Sequence, residues 1–285
     1  MYNLRYHIAS LVAVFLALTV GLLLGSIVAE RGLLTSQRST LVAGLQAEFD
    51  ALRTESSDLK TTNDTLTSFA ADALPGVVDR VLTGRTVVVI ASPDSADTAA
   101  RASEAVRLAG GQVALATFSG PGFSLTDEAV AAAAAKELGV VASSMTATSV
   151  VDALASEWTT PGGARPVTKA LVNAGGLKMQ GLTATGTVSG IVVSAVFDGA
   201  PDPWAMLLAH AMVDPSRFAA GVDTTKRADG SAKAAKAAGM SGVDDIDTTL
   251  GRVSLAWVLS GRASGLFGRS TDATARYPSP LFTNQ

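Results

Sequence analysis

Between His7 and Glu30 the chain carries no charge, and the run Ile8–Ala29, within RYHIASLVAVFLALTVGLLLGSIVAERG, limits the fold more than any other feature. As a helix its roughly 22 residues reach about 33 Å, which matches the hydrocarbon core of a bilayer. A cleaved signal has a shorter apolar stretch, about 7–15 residues, and ends in a site with small residues at both key positions. Here Ile27-Val28-Ala29 places a bulky residue three before the cut, and the chain has no Cys for a lipid anchor. The run therefore reads as a retained anchor that crosses a membrane once. Arg5 and His7 precede it, while Glu30 and Arg31 nearly cancel behind it. That balance favours a cytoplasmic N-terminus with the remainder translocated across the cell membrane.

The anchor also carries a ridge. Ala9, Ala13, Ala17, Gly21, Gly25 and Ala29 recur every fourth residue, and Gly21 to Gly25 spells GxxxG. Such spacing lets two helix backbones approach closely in lipid, although an Ala- and Gly-rich chain also puts small residues there by composition. From Thr35 to Ala73 a heptad follows. Leu45, Leu52, Leu59 and Leu66 take position d, and Thr35, Val42, Phe49, Ser56, Asn63 and Ala70 take position a. Leucine at d suits a parallel two-stranded coil, and Asn at a fixes register at a cost in stability. The expected self-association residues of a parallel homodimer are Ala17, Gly21, Gly25, Val42, Leu45, Phe49, Leu52, Leu59, Asn63 and Leu66. The other reading of the same pattern is a lone amphipathic helix lying on the domain behind it. Pro75-Gly76 breaks the heptad and marks the expected boundary.

Beyond residue 85 short β-branched runs alternate with Ala-rich helical patterns. Arg85–Ser92, Gln112–Phe118 and Gly190–Phe197 read as buried strands, with Arg217–Val222 a fourth. Helices are expected over DSADTAARASEAVRLAGG, over Thr126–Gly139 with Thr126 as N-cap, over DPWAMLLAHAMV and over TTLGRVSLAWVLSG. Residues 140–182 lack a clear period. The expected fold class is α/β: a single N-terminal transmembrane helix (1–30), a coiled-coil stalk (31–75), then a parallel-sheet, Rossmann- or flavodoxin-like globular domain (76–285). No second uncharged run is long enough to span a membrane, so this reading excludes a many-pass channel within one chain.

In such a sheet a ligand would sit at the carboxyl ends of the strands. The segments there are SPDSAD, FSGPGFS, FDGAPDP and GVDTTK, and none is a dinucleotide or triphosphate fingerprint. GTVSG has its Ser out of place for a nucleophile elbow. Asp94, Asp198, Asp202 and Asp223 are candidates for acid–base work or a hard cation, and equally for helix caps and turns. Met206 and His210 lie four apart on one helix and offer thioether and imidazole to Cu(I); a helix burying a Met and a hydrogen-bonded His presents the same pair. No catalytic residue is assigned and no resident cofactor is expected. A net charge of −3, with no long basic run, disfavours nucleic acid.

VDDIDTTLGRVSLAWVLSGRASGLFGRSTDATARYPSP, together with MYNLRYHIASLVAVFLALTVGLLLGSIV and the stalk, resembles the mycobacterial copper transport protein B (MctB) family of actinobacteria. The resemblance runs in order along essentially the whole chain, with Gly265-Leu266-Phe267-Gly268 standing where relatives carry a Gly-x-Tyr-Gly-like tail. It implies a role in copper efflux or homeostasis and an outer-membrane channel label. Corynebacterial relatives imply a second role, a paired coiled-coil scaffold that activates a peptidoglycan hydrolase during cell separation. Partners expected on these grounds are the lipid bilayer, a second copy, and envelope or cell-wall hydrolase proteins. Copper enters through the resemblance alone, and one helix with a globular domain lines no pore unless several chains assemble.

Overall fold

A computed structural model describes residues 4–182, 186–226 and 230–279, with residues 29–37 and 144 described by backbone alone. It divides into two compact units, Met1–Leu66 and Thr67–Gln285. Helix α1 (Leu4–Val78) supplies the first unit and the opening turns of the second. Leu4–Val28 is the one stretch among the described residues long and apolar enough to cross a membrane. Further along, the hydroxyls of Thr54, Thr61 and Thr65 donate to carbonyls four residues back at 2.9 Å, so these polar side chains are satisfied within the helix itself. Pro75 does not end the helix as its sequence position suggests. It lacks the N–H that would reach the Ala71 carbonyl, and the helix continues to Val78 because Leu74 and Val78 are held in the core of the second unit.

That unit is built around a seven-stranded sheet. Its elements are β1 (Thr86–Ala91), α2 (Ala96–Leu108), β2 (Gln112–Phe118), α3 (Glu128–Leu138), α4 (Ala147–Thr159), α5 (Pro166–Asn173) and β3 (Leu177–Gln180). Then come β4 (Gly190–Val193), β5 (Val196–Phe197), β6 (Ala200–Pro201), α6 (Pro203–Met212), β7 (Phe218–Val222), α7 (Ser231–Ala237), β8 (Ser241–Val243), α8 (Thr249–Ser260) and β9 (Leu266–Phe267). The main sheet runs β3-β2-β1-β4-β7-β8-β9, and β5 pairs with β6 in a separate two-stranded hairpin. Every pairing in the large sheet is parallel except β2 with β3.

Alternation along β1 shows how the sheet divides the core. Val87, Val89 and Ala91 face α2, α8 and the end of α1, while Val88 and Ile90 face the layer of α3 to α7. All five are at most 1% exposed. At about 1.5–3 kcal/mol for each large aliphatic side chain buried, this single strand is a leading source of stability. A strand apolar on both faces needs helices on both sides, and the flanking helices are capped for it. Asp127, rather than Thr126, caps α3 by accepting the N–H groups of Ala129 and Val130 at 2.9 and 3.1 Å, and Gly139 ends that helix in the left-handed region.

Several sequence expectations are corrected here. The sheet is mixed because β3 returns antiparallel along the β2 edge. Gly190–Phe197 is not one strand: it leaves the sheet after Val193, where Ser194 folds back onto the Ile90 carbonyl, and resumes as β5. Residues 140–182 hold α4, α5 and β3.

Candidate functional site

The strand order reverses direction between β1 and β4, and in doubly wound sheets that switch point is where the ligand crevice opens. Here buried serine hydroxyls tie the ends of β1 and β4 to the chain that follows. Ser92 Oγ donates to the Val196 carbonyl at 2.6 Å and accepts the Val196 N–H at 3.0 Å. Ser95 Oγ accepts the Ser92 N–H at 3.0 Å and lies 3.2 Å from Ser92 Oγ. Ser194 Oγ donates to the Ile90 carbonyl at 3.3 Å. All three serines are buried, and the β5–β6 hairpin is stitched to the end of β1 through them.

The four aspartates singled out in the sequence have separate roles. Asp94 and Asp198 are exposed, Asp94 on a single 3-10 turn after β1 and Asp198 between β5 and β6 with a positive φ of 52°. Asp202 is buried and caps α6, accepting the N–H groups of Trp204 and Ala205 at 3.4 and 3.3 Å; burial raises its pKa against the pull of these bonds. Asp223 is buried and accepts the N–H groups of Ser231 and Ala232, the first two of α7.

A different acidic group lies beyond the C-terminal end of β8. Asp244 accepts the N–H groups of Arg269 and Ser270 at 2.6 and 2.7 Å. Gly268 is what lets the chain come so close, since a Cβ there would stand 1.9 Å from Asp244 Oδ1, and its φ is 126°. Asp247 accepts the backbone N–H of Thr225 at 2.7 Å and also the Thr225 hydroxyl. Burial pushes the Asp247 carboxyl up, but the Thr225 bonds outweigh it and hold the pKa below the usual value. Asp245, between them, is 4% exposed; Thr248 donates to its Oδ2 at 3.1 Å and Oδ1 has no partner. Burial first, then the neighbouring charges of Asp244 and Asp247, lift its pKa to about 6 despite the Thr248 bond and nearby Arg269. A cleft of about 340 Å³ adjoins the group, lined by Asp223, Thr225, Lys233, Asp244 and Arg269 among others.

VDDIDTTLGR is more than a family signature. The signal for its local role was present in Thr248, three residues before Gly251, whose N–H the Thr248 hydroxyl accepts at 3.0 Å to cap α8. The buried carboxyl has a measurable consequence. Asp245 holds its proton to about pH 6 when folded but only to about its ordinary 3.8 when unfolded. Between those values the folded state binds more protons, so this contribution is fully present below the lower value and is lost as pH rises through 6. Asp245→Asn keeps the acceptor for Thr248 and removes the buried charge. It is expected to stabilise the protein by about 1–2 kcal/mol at pH 7.5 and to flatten stability between pH 4 and 6; urea titrations across that range check it.

Met206 and His210 both lie on α6 but in different surroundings. Met206 is buried in the core, and His210 is exposed. Among the described residues no group of three or more His, Asp or Glu side chains is placed to hold a metal ion. The proposed self-association residues fall on α1. Val42, Leu45, Phe49, Leu52, Leu59 and Leu66 are 56–67% exposed, an unusual density of apolar side chains facing solvent on one helix. Asn63 and Ala17 are exposed, and a Cβ at Gly21 or Gly25 would meet nothing within 4 Å. The side chains of Ala29 and Thr35 lie outside the described residues.

A helix of membrane-crossing length followed along the chain by an α/β unit with a mostly parallel seven-stranded sheet is the class of architecture this protein has. The chain belongs to the MctB family: the family model described as "Copper transport outer membrane protein, MctB" matches residues 1–278. The Copper transporter MctB proteins of Mycobacterium tuberculosis and Mycobacterium bovis are each 35% identical to it over 145 residues. That match covers 50% of this chain and 44% of each relative, so it spans less than half the length of these curated relatives. No solved structure matches the chain.

Proposed function

We propose that this protein is a membrane-anchored cell-envelope component that contributes to copper efflux, acting as a parallel dimer and not as an enzyme. The observation that carries the reading is the family match over residues 1–278. Leu4–Val28 supplies an anchor of the length and composition that a bilayer demands. A helical span suits the cell membrane, whereas outer-membrane spans are built as closed β-barrels. The Rossmann-like domain is carried on the outer side, and at its switch point the hydroxyls of Ser92, Ser95 and Ser194 are engaged in hydrogen bonds within the chain.

A single helix encloses no lumen. Copper passage along this protein therefore needs either several copies or a partner that supplies the path. The exposed apolar residues at heptad spacing, from Val42 to Leu66, and the Gly21/Gly25 ridge favour a second copy of the same chain.

Cell-associated copper, measured in a deletion strain under mild copper stress, tests the reading. Copper is expected to rise on deletion and to return to normal with the wild-type gene and with His210→Ala, since among the described residues that exposed imidazole belongs to no group of three or more His, Asp or Glu side chains. Leu45→Asp combined with Leu52→Asp is expected to give a monomer by analytical ultracentrifugation in detergent and to leave copper high. Unchanged copper on deletion overturns the efflux reading, and full rescue by a monomeric variant overturns the dimer.

A further inference from the structure

Helix α1 carries opposite charges that it cannot pair within itself. With Val42, Phe49, Ser56 and Asn63 at position a, Glu48 and Glu55 fall at position g, and Arg53 and Lys60 at position e. All four are exposed, and they flank the exposed apolar stripe of Val42, Leu45, Phe49, Leu52 and Leu59. Glu48 and Arg53 are five residues apart, as are Glu55 and Lys60. Five residues turn an α-helix by about 140°, so the members of each pair stand on opposite sides of the stripe. On one helix they are out of reach of each other, unlike charges three or four residues apart. Among the described residues Glu48, Arg53 and Glu55 make no ion pair, and Lys60 makes only an exposed one with Asp64, at 3.8 Å.

A second copy lying parallel and in register supplies the missing partners. There, residue g of one helix meets residue e of the following heptad on the other. Glu48 of one copy comes to Arg53 of the other and Glu55 to Lys60, each pair formed twice by symmetry. Asn63 then faces Asn63, an amide that both donates and accepts meeting its own kind. An antiparallel arrangement sets g against g and e against e, so acid meets acid and base meets base. A parallel slip of one heptad keeps half of the charge pairs and takes Asn63 to Ser56 and Ala70. We propose that Glu48, Arg53, Glu55 and Lys60 select a second copy of this chain as the partner of α1 and set the two helices parallel and in register. This rests on the dimer reading above and adds to it the register and the residues that choose the partner.

The chain has no cysteine, so a single introduced one reports proximity without background. A disulfide forms only between residues whose Cα atoms lie within about 7 Å. In the full chain in detergent micelles, Ser56→Cys, at position a, is expected to give a disulfide-linked dimer under mild oxidant. Ser68→Cys, at the outward position f, is expected to stay uncrosslinked. Sedimentation of the reduced protein separates the two readings. A dimer that Ser56→Cys does not crosslink overturns the parallel, in-register pairing and leaves the dimer standing, whereas a monomer overturns both. Charge reversal in the Ser56→Cys chain tests the four residues. Glu48→Arg with Glu55→Arg, and separately Arg53→Glu with Lys60→Glu, turn every attractive pair into a like-charge pair on exposed positions. Each variant is expected to dimerise about tenfold more weakly than its parent, with circular dichroism unchanged. An equimolar mixture of the two is expected to crosslink mainly as the heterodimer, identified by its mass. Crosslinking of either variant with itself as readily as with the other overturns selection by these residues.

Discussion

Trp158→Ala is expected to destabilise the α/β unit by about 4 kcal/mol, close to the upper end for a buried aromatic. Trp158 is fully buried on α4 among the helices that cover one face of the sheet. Its indole N–H donates to Thr168 Oγ1 at 2.9 Å, and the Thr168 hydroxyl donates in turn to Glu157 Oε2 at 2.6 Å. The Glu157 carboxylate accepts the N–H groups of Val167 and Thr168 at 2.7 and 2.9 Å and so caps α5 from outside that helix. Removing the indole leaves a cavity and unties one end of this network. Against a total stability of about 5–15 kcal/mol the loss is large, and it corresponds to a fall of about 10 °C in Tm for a unit of this size. Thermal and urea unfolding of the full chain in detergent, followed by circular dichroism, measure it. A loss below about 1 kcal/mol would show that α4 and α5 do not pack around this side chain.

Gly251→Ala is expected to cost at least about 2 kcal/mol net, although alanine normally favours a helix over glycine by about 1 kcal/mol. Gly251 lies in the first turn of α8 and is buried. A Cβ there would stand 2.1 Å from the Asp245 carbonyl oxygen and 2.7 Å from Asp245 Oδ1. The obstacle is backbone, which cannot step aside as a flexible side chain could. Relief requires α8 to move off the loop that holds the acidic group, so the substitution is also expected to change the titration of Asp245. Gain of stability in the alanine variant would refute the close approach.

These two residues also show where sequence was sufficient and where it was not. Elements marked by composition at both ends were legible: β2 falls on Gln112–Phe118 as read, and α6 and α8 begin after Asp202 and Thr248 as their capping residues indicate. The segment around Trp158 was opaque because its order depends on contacts distant in the chain. The α5 N-terminus is capped by Glu157, ten residues away, and β3 is fixed by pairing with β2. Strands β8 and β9 have three and two residues, too few to show a period. The acidic group was written plainly in VDDIDTTLGR, yet its charge balance was not. Asp244, Asp245 and Asp247 are near neighbours in sequence, and only the fold decides that two of them receive backbone N–H groups while one carboxylate oxygen is left without a partner. Burial along α6 was equally illegible: spacing on a helix indicates a shared side, but Met206 is covered by neighbouring elements and His210 is exposed.

The buried serines at the switch point bear on what this scaffold can become. Ser92, Ser95 and Ser194 are small and joined to one another next to the strand ends where sheets with this reversal of strand order take up nucleotides and related molecules. Shortening Ser92 to glycine or alanine would leave the N–H and carbonyl of Val196 without the hydroxyl that now meets both, a donor and an acceptor in need of new partners.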